Sequence, residues 1–405
     1  MSRSARQRLL EPVRPLTRRA IGLGSVLLIV VGAVAFAALL YFYGGGTDRD
    51  RAKLDVVRTA GTLAAVPGGA IALFLAARRQ RSTELTLEHQ REVAVEQRIT
   101  ELYTRAVDQL GNDQAPVRLG GLHALERLAQ NNPAQRQTIV DVICAYLRMP
   151  YALPDDKPPG EDAPAEAHTR YEQRRQELQV RLTAQRIVAA HLRPDTWGTF
   201  WPDIDLDLTE AQLHQLDLTD CRIRNAEFGG AKFSGDAAFD KANFSGNARF
   251  DKAKFSGDAR FYKTKFSGNA GVNKAKFSAK AVFGEAKFSG NAWFDEAEFS
   301  GDAEFNGAQY SAYAVFGGAQ FSAYAWFDEA QFFGDAVFGE APFGGAQFSG
   351  NTRFDEAKFS GNTRLAGART RPAEDGFCSW PTTWSTREAG EGEEDGWLYL
   401  VRVEE

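Results

Sequence analysis

Residues 231–255 read AKFSGDAAFDKANFSGNARFDKAKF. A large apolar residue returns after six residues, then five, then six, then five: Phe233, Phe239, Phe244, Phe250, Phe255. Upstream, Leu208, Leu213, Leu218, Ile223, Phe228 and Phe233 come every five residues. Downstream the six-five alternation runs on to Leu365. From Phe228 to Leu365 there are 26 such slots, and Phe fills 23, the exceptions being Val272, Tyr310 and Leu365. Two residues before each slot stands Ala, except at Thr264, Thr352 and Thr363.

The period decides the fold. A five-residue step does not track the 3.6-residue face of a helix. Alternate residues of a strand face the same side, so an Ala and a Phe two apart both point inward. A short strand followed by a tight turn fits each step. Stacking such coils gives every backbone group a partner in the next coil. Alanine is required where the narrow interior leaves no room. The sixth residue falls in the Ser-Gly-Asp/Asn turn, where glycine is expected to supply a positive φ.

Steps such as Ala211-Gln-Leu213, Ala226-Glu-Phe228-Gly-Gly and Ala231-Lys-Phe233-Ser-Gly resemble the pentapeptide repeat family. The resemblance implies an all-β, right-handed quadrilateral β-helix, a four-sided solenoid, over residues 208–367. The alternation departs from the family's strict five. It predicts about 22 residues per coil, and so about seven coils and a height of roughly 34 Å at about 4.8 Å each. Phe338, Phe343 and Phe348 break the rhythm at five and five, and Pro342 removes a ladder donor there. This reads as a lost turn residue and a local coil defect. Solenoid ends need covers. Trp197 and Trp201 place one at 194–207, and Trp380, Trp384 and Trp397 the other at 368–405, with a strand at Trp397–Val401.

The front half reads differently. Residues 1–19 are basic. Residues 20–43 form an uncharged apolar run long enough for a bilayer core, and 59–77 a shorter one interrupted by Pro67, Gly68 and Gly69. These predict two transmembrane helices joined by a short external loop at 44–58. Arginines at Arg3 to Arg19 and at Arg78, Arg79 and Arg81 predict a multi-pass protein of the cytoplasmic membrane, both termini cytoplasmic. An α-helical region follows at 78–150. It contains Ile99, Leu102, Tyr103, Ala106, Val107 and Leu110 on one stripe, a second helix from Val117 to Ala129, and a third striped by Ile139, Val140, Ile143, Cys144 and Leu147. Residues 151–167 read as a flexible linker and 168–193 as a further helix. This order, two membrane helices, a Leu-Gly-Gly-Leu-His-Ala-Leu-Glu helix and then the repeats, is similar to a layout among bacterial members of the same family.

Composition bounds the chemistry. Among 405 residues there are 29 Phe and 38 Gly but 2 Met, a bias that fits repetition better than an enzyme core. A net charge of −5 excludes a generally basic nucleic-acid binder. Cys144, Cys221 and Cys378 have no framework spacing. His123 has no other His or Cys one helical turn away, so it reads as a surface histidine rather than a ligand. Cys221 occupies the small inward slot before Ile223. Paired acids such as Asp295-Glu296 and Asp328-Glu329 fall at turns and read as solvated corners. No catalytic motif, metal site or cofactor site is found, and the chain is not expected to be an enzyme.

The expected function is a membrane-anchored scaffold whose rigid β-helix binds a cytoplasmic protein, with the lipid bilayer as its other partner. Some proteins of the resembled family mimic DNA and bind topoisomerases, which gives an alternative; a purely structural role is another. Charge disfavours mimicry. Residues 222–287 carry 14 Lys/Arg against 6 Asp/Glu, a net of +8, whereas 288–352 carry 9 acids and no base. A duplex mimic requires acid along its whole length. Nucleic acid is disfavoured as a partner, and the oligomeric state stays open. The candidate protein-binding residues are Trp293, Tyr313 and Phe333. They lie 20 residues apart, two short of a coil, which places them on a diagonal stripe, with Tyr324 and Trp326 on the opposite side.

Overall fold

The computed structural model describes residues 30, 34, 37, 38, 41, 48–155, 157–195, 198–339, 346–349, 351–354, 357–359, 363–365, 368–371, 378–381, 383–390 and 393–403. The chain forms two compact units, Met1–Val95 and Glu96–Glu405.

The first unit corrects the membrane reading. No helix among the described residues is long and apolar enough to cross a membrane. A multi-pass placement with both termini cytoplasmic therefore falls. Most of the first apolar run, 20–43, lies outside the described residues. The second, 59–77, lies inside α1 (Asp48–Leu110, 63 residues).

The second unit opens with the end of α1, then α2 (Ala115–Asn131), a 3-10 turn (Pro133–Gln135), α3 (Arg136–Arg148) and α4 (Ala165–Leu192). Pro116 suits the first turn of α2, where its missing N–H costs nothing. Leu122, Leu125, Ile139, Val140, Ile143, Val180, Ala184 and Val188 are buried together. A Cβ on Gly121 would lie 2.8 Å from both Ala106 O and Leu110 N, so α2 meets α1 backbone to backbone there. Just after α3, Tyr151 Oη donates to Arg174 O of α4 at 2.8 Å. Arg181, buried on α4, donates to Leu147 O at 3.0 Å and Met149 O at 2.8 Å, and pairs with Glu177 at 2.8 Å. It satisfies carbonyls left over at the end of α3.

The rest is a parallel β-solenoid built from two- and three-residue strands. The chain visits four sheets in turn. Face 1 runs from Leu206–Asp207 to Thr363–Arg364, face 2 from Gln212–His214 to Arg369–Thr370, face 3 from Ala237–Ala238 to Thr352–Arg353, and face 4 from Arg222–Ile223 to Lys358–Phe359. Faces 1 and 3 are therefore opposite sides. The Phe slots point inward and stack in register: Phe261 lies 4.7 Å from Phe239 below and 4.7 Å from Phe283 above, with rings within 3° of parallel. The alanines of the other inward position from Ala226 to Ala336 are buried. Thr264 takes one such position because its hydroxyl donates to Phe239 O at 2.7 Å.

Coil length is not uniform. Leu206 pairs with Ala226, a step of 20, and Ala226 with Ala248, a step of 22. The central coils keep 22, as in Ala259 with Ala281. Gln320 then pairs with Gln347, a step of 27. The break at Phe338, Phe343 and Phe348 thus adds five residues to a 22-residue coil; it does not lose one. Ala346 N bonds Phe338 O at 2.6 Å, closing the coil eight residues on, where other coils close after three, as Ala330 N to Phe327 O does. Pro342 and Phe343 lie outside the described residues.

The turns also differ from expectation. Gly246, Gly257, Gly268, Gly290, Gly301 and Gly334 do not carry positive φ. They are glycine because coils touch there: a Cβ on Gly257 would lie 2.5 Å from Gly235 C. Gly235, in the first Ser-Gly-Asp turn, does carry positive φ as expected; in the later coils the left-handed residues are in the other turn, at Lys241, Lys252, Lys263, Lys274, Glu285, Glu296, Gly307, Gly318 and Glu329.

Both ends are covered. Trp201 is fully buried and stacks on His191 at 3.9 Å; Trp197 lies outside the described residues. At the other end Trp380 meets Phe348 edge-on at 5.4 Å. Leu398–Arg402 adds antiparallel to Arg369–Thr370, and Trp384–Glu388 adds to it in turn.

Candidate functional site

The three aromatics are placed by the coil register. Trp293 closes the face 1 strand Ala292–Trp293 and is half-buried. Tyr313 sits one coil on, at the corner entering face 1, and is 39% exposed. Phe333 sits a further coil on, just past the face 4 strand Gln331–Phe332, and is 53% exposed. The three thus step back across the face 4 to face 1 corner. Tyr324 and Trp326 belong to face 3 and stack on each other at 5.4 Å.

Tyr313 interrupts a built feature. At this corner each Asn side chain accepts from the backbone N–H of the next coil: Asn225 from Asn247, Asn247 from Asn269, Asn269 from Asn291. Tyr313 N–H donates to Asn291 Oδ1 at 3.3 Å, but a phenol carries no carboxamide to continue the ladder. Tyr324 replaces the same rung above Asp302. An aromatic on the surface here gives up a repeating hydrogen bond.

Beside Trp293 lies a pocket of about 280 Å³, walled by Asn247, Arg249, Asp251, Asn269, Asn273 and Trp293 around Gly271. Arg249, Gly271 and Trp293 occupy one outward column of face 1. The missing side chain of Gly271 opens the notch. A Cβ there would meet both Asp251 carboxylate oxygens at 3.0 Å. Asp251 Oδ1 already accepts from Asn273 N–H at 3.0 Å and Asn273 Nδ2 at 2.9 Å. Asn273 Oδ1 in turn accepts from Asp295 N–H at 3.1 Å. Gly271 was legible as an outward glycine between Ala270 and Val272, but its meaning depends on neighbours 22 residues away on either side.

Asp295 is not a solvated corner. Its Oδ1 is buried without a hydrogen-bond partner, and burial pushes its carboxyl up to about 6. Nor is His123 isolated: its Nδ1 lies 2.9 Å from Glu126, whose other oxygen lies 2.9 Å from Nε2 of the buried His191. His191 Nδ1 lies 2.6 Å from Thr199 O. The two histidines meet through tertiary packing of α2 and α4, which helical spacing alone does not show. Among the described residues no His, Cys, Asp or Glu group is arranged to hold a metal ion. Cys144 and Cys221 are buried, and burial pushes each thiol up to about 12, far from nucleophilic character.

A four-sided parallel solenoid with this Phe/Ala interior is the architecture of one kind of repeat protein. The family described as pentapeptide repeats matches over residues 208–253, 218–265 and 261–309, so the repeats of residues 208–309 match that family. No curated protein and no solved structure matches the chain.

Proposed function

We propose that the chain is a non-enzymatic protein-interaction module, in which the solenoid holds Trp293, Tyr313 and Phe333 rigidly toward a basic protein partner. The observation that carries this is the exposure of Tyr313 and Phe333, at 39% and 53%, in a domain whose inward slots from Phe228 to Phe338 are all buried. Exposed aromatics on a stiff scaffold lose little entropy on binding. Asp335, which precedes the face 1 strand Ala336–Val337, and the net acidity of residues 288–352 set the sign of the partner. The scaffold is well suited: each coil is tied to the next through every face, so the surface does not rearrange on contact.

The test is the Trp293→Ser/Tyr313→Ser/Phe333→Ser variant, checked for fold by circular dichroism. It is expected to lose proteins that the wild-type chain captures from cell extract. Capture of an unchanged set of partners by the folded variant would reject the stripe.

A further inference from the structure

We infer that the partner of this face is a second copy of the chain, docked antiparallel through face 1 with Trp293 of each copy seated in the Gly271 notch of the other. The inference rests on the docking reading above and names its partner.

Two observations point to it. The first is charge. Residues 222–287 carry a net of +8 and residues 288–352 a net of −9, so two rods side by side attract only when antiparallel. The acidic, aromatic half calls for a basic surface, and the chain carries one next to it. The second is shape. A two-fold contact must be self-complementary: what protrudes on one copy must fit a recess on the same patch of the other. Gly271 and Trp293 are that pair. They are register partners on adjacent coils of face 1, one lacking a side chain and the other bearing the largest. The recess, about 280 Å³, lies below the usual small-ligand range and fits one large side chain.

A two-fold axis crossing face 1 between these coils, perpendicular to the solenoid, brings each Gly271 opposite the partner's Trp293. The same axis treats the neighbouring corner column alike. Lys274 and Glu296 are the left-handed turn residues on the same two coils and pair within one chain at 3.3 Å. Under the two-fold each Lys274 also faces the other copy's Glu296, making a four-charge cluster of alternating sign. At the corner entering face 1, Asn269 would face Asn291 of the other copy, amide to amide. No like charges are brought together in these three columns.

The experiment is sedimentation velocity of the full chain in low and high salt, with circular dichroism of every variant. Wild type is expected to dimerise at low ionic strength. Association should weaken at least about tenfold at high salt, where the screening length falls from about 10 Å at 0.1 M to about 3 Å at 1 M. Trp293→Ser and Gly271→Gln, which empty the knob and fill the hole, should each give a folded monomer. Lys274→Glu should weaken the dimer and Lys274→Glu/Glu296→Lys restore it. A wild-type monomer at low salt, or a dimer indifferent to both Trp293→Ser and Gly271→Gln, overturns the inference. If wild type is monomeric yet the triple aromatic variant still loses captured proteins, the docking reading survives with a different partner; if neither effect is seen, both fail.

Discussion

Lys276 Nζ reaches both carboxylate oxygens of Glu298 at 2.8 Å, across a single coil step of face 2. Lys263–Glu285, Lys274–Glu296 and Lys280–Glu304 join neighbouring coils in the same region. The change from basic to acidic sequence is thus a structural seam, with a lysine of the last basic coils set against a glutamate of the first acidic ones. Each pair is about half exposed, so each contributes only about 0.2–1 kcal/mol. Glu298→Lys sets like charges in register with Lys276, with only the neutral Gln320 on its other side, and is expected to lower stability by about 1 kcal/mol at low salt. Melting curves at low and high salt check it: the loss should shrink as salt rises, and a salt-independent loss would assign Glu298 a packing role instead.

The interior leaves little latitude. Phe261→Ala removes one ring from a continuous stack and is expected to cost about 3–5 kcal/mol. Ala259→Leu, between Ala237 and Ala281 in register, overpacks the narrow wall at about 1–3 kcal/mol. Phe261→Asp buries an unpaired charge and should unfold the surrounding coils. Unchanged denaturant midpoints in these variants would show that the inward assignment is wrong.

The solenoid was legible because its determinant is local and repeated. Ala and Phe two apart, 26 slots long, fix both strand and facing. The coil closure after Phe338 was not, because a five-residue insertion and a one-residue loss give the same interrupted rhythm until the register across coils is known. The turn glycines misled for a related reason: Gly257 is dictated by the backbone of Gly235, 22 residues earlier, and not by its own φ. The membrane reading rested on apolar length, and no helix among the described residues is long and apolar enough to cross a membrane. In the candidate site, Trp293, Tyr313 and Phe333 stood out as departures from a repeat. Gly271 and the burial of Asp295 arise only when coils are stacked.

Tyr310 is the one tyrosine among the inward slots, stacked 4.8 Å from Phe288 and 4.6 Å from Phe332. Its hydroxyl is fully buried without a partner, and burial drives its ionisation well above the usual range. Tyr310→Phe keeps the ring and removes the stranded group, so it is expected to raise stability by about 1–3 kcal/mol. Differential scanning calorimetry reads this as a higher Tm. A lower Tm would mean that the hydroxyl is satisfied by water in the interior.

Asp295 links stability to pH. Its folded value, about 6, lies above the ordinary 3.8 because burial penalises the carboxylate. The unfolded chain gives up this proton more readily. Stability therefore falls as pH rises from about 3.8 to about 6 and stays lower above that window. Asp295→Asn removes the ionisation. Its advantage over wild type should be absent at acid pH, grow through the window and level off by neutral pH. An advantage that is constant with pH would place the effect in packing, not in the charge.

The five extra residues give the most direct test of the coil register. Deleting residues 340–344 joins Gly339 to Gly345 and leaves Phe338-Gly-Gly-Ala346-Gln-Phe348. One coil earlier the chain reads Phe316-Gly-Gly-Ala319-Gln-Phe321, and there Ala319 N bonds Phe316 O at 3.1 Å to close the turn. The shortened segment therefore has a sequence already shown to turn this corner, and the step from Gln320 to Gln347 falls from 27 residues to 22. Closing a shorter loop lowers the entropy cost of folding, by a few tenths to about 1 kcal/mol. The deletion is expected to fold with the same strand content and a Tm equal to or above that of wild type. Circular dichroism and thermal melting decide it. A deletion that unfolds coils beyond Phe338 would show that the inserted residues hold the coil together, and the 22-residue register would not be the natural closure at this corner.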